Sequence, residues 1–291
     1  MKQTHISVDA EALSSLVKKH LSHFYTRRID CLDNLSLKDV LKRKNPYLFR
    51  AVGIHDVGEL IRNLLLAYSS SSDETVFGNE FFEPLVRDLS KGKTADGEGV
   101  DVLVETTTQI TAYAIKSGTS VFNSSSRRDQ EQSFVKMRNR LYKTHKQFDA
   151  AVGYCYGRKG RRNNAAPFRE VAGQEFWKEI TGDPECYIKV IEAMRNYPDI
   201  HRMEFLQAWT RAVNRFSAEF MYNFMSQDGT INWPALLRYN SGQEVIPWKQ
   251  VPAPETIQSK DFAQSSCMKE SSYPYPDYDN PMVADAKVEA S

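Results

Sequence analysis

Two short runs of alternating residues, GVDVLVE at 99–105 and AYAIKSG at 112–118, flank a polar step that contains TTTQ. Alternation with period two is the signature of half-buried strands, and the polar step reads as a turn, so the pair predicts an antiparallel hairpin. A charged segment follows, SSSRRDQEQSFVKMRNRLYKTHKQF, with Phe134, Met137, Leu141, His145 and Phe148 at helical spacing. The nearly continuous apolar run DAAVGYCYG comes next and reads as a buried strand. A preceding helix, two strands, a helix and a strand in this order predict an α/β core.

Within the hairpin, Ala114 and Lys116 share one face, because side chains alternate across a strand. If the turn centres between Thr108 and Gln109, Asp101 stands directly opposite Lys116. A lysine at a strand end is commonly a device that blunts a sheet edge. Here, however, a carboxylate is expected beside it. Ser117-Gly118 follows the lysine, and the glycine-rich stretch GKTADGEGV, read as a loop, precedes Asp101. Glycine at such places lets a ligand or another backbone approach closely.

The flanks are helical in pattern. Asp9 is a candidate N-cap for a helix running to about Tyr25, with Leu13, Leu16, Val17 and Leu21 on one face. SLKDVLKRK forms a second helix that ends where NPY begins, and IHDVGELIRNLLLAY a third. SSSSD reads as a polar loop, and VFGNEFFEPLVRDL as a helix kinked by Pro84. The organisation predicted is a helical region over 1–70, an α/β core over 71–170, a second helical region over 171–240 packed on that core, and a Pro-rich tail over 241–291, extended or disordered.

Composition narrows the function classes. Hydrophobic residues at 41% and charged residues at 26% suit a soluble globular protein. Four scattered cysteines without paired spacing suit a reducing, cytoplasmic setting better than a disulfide or zinc framework. No apolar run approaches the ~18 residues of a membrane span, and no signal peptide is expected. A GK[ST] phosphate loop is missing, so ATP use is not indicated. The net charge of +1 hides a cluster: residues 127–162 hold eleven Lys and Arg against three acids, so the rest of the chain carries −7. Such asymmetry draws polyanions. Arg158, Arg161, Arg162 and Asn163 have side chains suited to base edges, and Ser124, Arg127 and Arg128 at a helix start suit a backbone phosphate.

GVDVLVE…YAIKSG followed by a polar helix resembles the PD-(D/E)xK nuclease superfamily, and more narrowly type II restriction endonucleases with an IKSG strand, of a PmeII-type branch. NPYLFRA, FGNEFFEPLV, QEFWKEI and DGTINWPALL extend the resemblance over roughly Asn45 to Tyr239. It implies a mixed central sheet flanked by helices, with helical N- and C-terminal additions, and cleavage of double-stranded DNA with Mg²⁺. It also implies a homodimer on a twofold site and a cognate methyltransferase in the same bacterial cell. By the same resemblance Asp101 is a metal ligand, Ile115 offers its backbone carbonyl, and Lys116 assists the attacking water. The family's second acid belongs at position 114, where alanine stands. Glu105 lies on the right face but about 13 Å along the strand. The resemblance implies a substitute from a helix: related restriction enzymes supply a glutamate from the position of Glu83 on the preceding helix, which makes it the first substitute, with Glu80, one turn earlier, and Glu131, on the following helix beside Asp129, where some superfamily members carry it, as alternatives.

Overall fold

The computed structural model describes residues 9–97, 99–159 and 167–251. The expected readers Arg161, Arg162 and Asn163, and the tail from Pro252 onward, lie outside the described residues.

Helix α1 (Ala10–Asp33) starts at Asp9, whose carboxylate accepts from the Ala12 N–H at 3.2 Å. After α2 (Leu37–Arg43), Pro46 at the start of a helix and the Asn45 cap open α3 (Pro46–Ala51), a short element that periodicity did not disclose. Helix α4 (Val57–Phe77) does not stop at Tyr68. The SSSSD segment, expected to be a loop, continues it for two more turns. The Ser71 and Thr75 hydroxyls bond back to carbonyls of the preceding turn, and Asp73 is held by Arg28 of α1 at 2.7 Å. Tertiary pairing thus overrides a weak local preference. A π-helical turn, Gly78–Phe82, follows directly and leads into α5 (Glu83–Ser90). Pro84 sits in the first turn of α5, where a missing N–H costs little, and the irregularity expected of it is this widened turn.

The sheet runs β1 (Lys93–Gly97), β2 (Val100–Glu105), β3 (Gln109–Lys116), β4 (Gln147–Tyr154), β5 (Arg169–Ala172), hydrogen-bonded in that order. The first three strands are antiparallel, and β3, β4 and β5 are parallel. β1 corrects the reading of GKTADGEGV as a loop: its polar side chains stay largely exposed on an edge strand, so the backbone pairing with β2 defines it. Helix α6 (Ser124–Leu141) connects β3 to β4. It ends in a 3₁₀ turn, Tyr142–Thr144, and His145 then takes a left-handed conformation with φ 56° rather than continuing the helix face.

Two apolar clusters cover the two sheet faces, and at the irregular start of β2 Val100 joins one and Val102 the other. Val102, Tyr113, Ile115, Ala151 and Val171 pack under α1, α5, α7 (Gly173–Thr181) and α8 (Cys186–Ala193). Val100, Ala112, Ala114, Val152 and Tyr154 pack under α6 through Phe134 and Met137. A third apolar cluster takes no residue from the sheet: Leu32, Val40, Ile61 and Leu65 meet Phe216, Phe220 and Leu236 of α9 (Tyr197–Phe224) and α10 (Trp233–Ser241). Helices from before and after the sheet therefore share one core, and α1 contributes to both it and the sheet.

Candidate active site

The hairpin turn is tighter than the sequence implied. Thr106 and Gln109 bond across it, and the pairs Val102↔Tyr113 and Leu103↔Ala112 centre it between Thr107 and Thr108. Continuing that register puts Asp101 opposite Ala114, not Lys116. A shift of two residues preserves the face, so Asp101 and Lys116 become diagonal neighbours at the same end of the sheet. The Lys116 ammonium lies 3.9 Å from Asp101 Oδ2, with about a quarter of each side chain exposed. The Ile115 N–H donates to the same Oδ2 at 2.6 Å, where the β2–β3 ladder has just ended. The carboxylate therefore caps a free strand amide. Asp101 Oδ1 accepts no hydrogen bond from any described residue.

Glu83 arrives from the other side. The π-helical turn abuts the end of β3, with Gly78 beside the Ser117 hydroxyl, and Glu83 is the first residue after it. Its carboxyl is pushed up to about 7, first by burial and then by the negative charge of Asp101, with Lys116 opposing. Asp101 is raised too, by burial against the pull of Lys116 and the Ile115 N–H. Two carboxyl groups and one ammonium thus share a poorly hydrated corner, in which the Asp101 charge disfavours ionisation of Glu83.

The remaining candidates separate. Glu80 lies close enough to raise Glu83 further. Glu131 lines a different hollow, with Asp149, Phe148 and Phe168, near the start of β4, and Asp129 is exposed. Glu105 is held at the far end of the hairpin by Lys146 at 2.7 Å. Ala114 is fully buried in the apolar cluster beneath α6. Among the described residues no three His, Cys, Asp or Glu side chains converge as a metal cage. Mg²⁺ demands less than that, because it keeps several waters and is held by one or two carboxylates. The pair of Asp101 and Glu83, crowded into mutual repulsion and rich in hard oxygen, fits such an ion.

Of the expected DNA contacts, Ser124 and Arg128 are exposed at the start of α6, where Asn123 closes a capping box, and Arg158 is exposed beyond β4. Arg127 is engaged: its guanidinium donates to both oxygens of Glu170. Sequence reasoning missed Glu170 and its partner Tyr154, since β5 is only four residues long. It also missed a cleft of about 750 Å³ beside the strand ends, lined by Phe82, Trp177, Tyr156 and Arg158.

A five-stranded mixed sheet flanked by helices, with an acid and a lysine on one face at its end, is the architecture of restriction-endonuclease-like proteins. The sequence agrees: a family model described as "Type II restriction endonuclease EcoO109I" matches residues 11–198, more than half of the chain. The chain belongs to that restriction endonuclease family. The match is to this description and not to the PmeII-type branch that the motifs suggested. A comparison with curated proteins gives no match. No helix among the described residues is long and apolar enough to cross a membrane.

Proposed function

We propose that the protein is a type II site-specific deoxyribonuclease that hydrolyses phosphodiester bonds of double-stranded DNA, with Asp101, Glu83 and Lys116 as its catalytic groups. The observation that carries this reading is the 3.9 Å approach of Lys116 to Asp101 at a sheet end that Glu83 also reaches. Asp101 and Glu83, with the Ile115 carbonyl, would hold Mg²⁺. When bound, such an ion supplies Lewis acidity and lowers the pKa of a coordinated water. Lys116 orients the attacking water and offsets the charge that develops on the phosphoryl oxygens. Asp101 stays fixed through its Ile115 N–H bond, which leaves Oδ1 for the ion. A twofold DNA site would be met by a homodimer, and a cognate methyltransferase would protect the host sites.

Plasmid DNA incubated with Mg²⁺ tests this. Discrete fragments are expected, and Lys116→Ala should lose at least about a thousandfold in rate while still binding DNA, as removal of a transition-state group does. A smear, or cutting only at forks, would point instead to a repair nuclease. Binding without cleavage in Mg²⁺ or Mn²⁺ would mean a DNA-binding protein with a decayed site, the reading that Ala114 favours.

A further inference from the structure

Glu170 of β5 gathers partners from three segments. Tyr154 donates its hydroxyl at 2.6 Å, the Arg127 Nη2 lies 3.2 Å away, and the Lys159 ammonium 3.3 Å away. Each cation is also seated on a ring, Arg127 over Phe168 at 4.8 Å and Lys159 over Tyr154 at 5.0 Å. The place of this cluster follows from the register. Tyr154 pairs with Lys116, and Glu170 with Val152, so the cluster occupies the face and the strand ends that carry Lys116. It lies two strands away, about 10 Å.

A purely structural ion pair would be neutral, but here two cations surround one carboxylate. Five N–H donors on a guanidinium and three on an ammonium far exceed what Glu170 can accept, so donors remain for another anion. Arg127 also stands in the second turn of α6, a helix with no acid in its first turn. That end of a helix favours anions and disfavours cations. A local rule broken with a compensating carboxylate from a distant strand marks a functional arrangement.

We propose that Glu170 is a positioning residue that holds Arg127 and Lys159 as a clamp for a DNA backbone phosphate near the scissile one. Phosphates follow one another along a strand at about 3.4 Å of helix rise, so the clamp would meet one within about three nucleotides of the cut. Glu170 itself touches no DNA. It is held ionised far down the acid range, near pH 2, by Arg127, Tyr154 and Lys159 against the effect of its own burial, so the cluster keeps its form at any working pH.

The inference rests on the nuclease reading and deepens it. The experiment compares wild type, Glu170→Gln and Lys159→Met on a cognate duplex and on duplexes with a single neutral methylphosphonate at successive positions. In Glu170→Gln, KM is expected to rise about tenfold, the scale of one charge-assisted contact, with kcat within about threefold. One methylphosphonate position should weaken wild-type binding but have little further effect in either variant. The same methylphosphonate penalty in variants and wild type, or a Glu170→Gln effect on kcat alone, would overturn the clamp. If Glu170→Gln does not fold, Lys159→Met decides: wild-type affinity and salt dependence in that variant overturn it as well. A wild type that neither binds nor cuts DNA would defeat the nuclease reading instead.

Discussion

Glu83 shows how far one side chain's surroundings can set its chemistry. Its pKa of about 7 lies above the usual carboxylate value of 4.5, so the folded state holds its proton more tightly than the unfolded chain does. The sign follows from linkage: this group contributes stability that is complete below pH 4.5 and is lost as pH rises through 7. In metal-free protein the melting temperature should fall across that window, and Glu83→Gln should flatten the fall, as differential scanning calorimetry at stepped pH would show. Activity should separate Glu83 from Glu131, one of its two alternatives in the sequence. Glu83→Gln is expected to abolish Mg²⁺-dependent cutting, whereas Glu131→Gln, from its separate hollow, should retain it within a few-fold. Equal losses in the two variants in a plasmid assay would reverse the assignment. Asp101 and Lys116 were legible in the sequence because a period-two pattern fixes the face even when the register is misjudged by two. Glu170 was not, because its strand is too short to carry a pattern and its partners are 16 and 43 residues away.

At the scale of elements, close approach governs. Gly153 of β4 lies under α7, and a Cβ there would come within 2.2 Å of the Phe176 ring, itself fully buried. Gly153→Ala should therefore cost about 1–3 kcal/mol through overpacking, measurable by urea unfolding. Arg215 of α9 acts differently: it donates to the carbonyls of Leu32, Asp33 and Leu35 at the end of α1. Arg215→Ala would strip partners from these carbonyls, and a loss of about 1–3 kcal/mol is expected by the same measurement. The sequence showed most helices and the three long central strands through their apolar periods. Those signals fail at β1, an exposed edge strand, and in the SSSSD stretch, where helix formation depends on a partner helix and not on local preference.

For the molecule as a whole, α1 ties the sheet to the helical cluster, with Leu13 and Val17 in one and Leu32 in the other. Residues 9–251 should then unfold together. Trp177 lies in the sheet cluster, while Trp209, Trp233 and Trp248 belong to the helical one. Fluorescence of Trp177→Phe and of wild type should give the same urea midpoint as far-UV circular dichroism, and separated midpoints would show two folding units. The widened turn at Gly78–Phe82 has a consequence of its own for how such a chain can change. It absorbs one residue more than a regular turn of the same rise, so removing a residue there would restore ordinary winding with α5 still facing the strand end. A residue lost from the regular winding of α4, with no such turn to absorb it, would instead rotate everything after it by about 100° and swing the Glu83 carboxylate away. The widened turn is thus a stretch before Glu83 where chain length can change while the acid stays aimed.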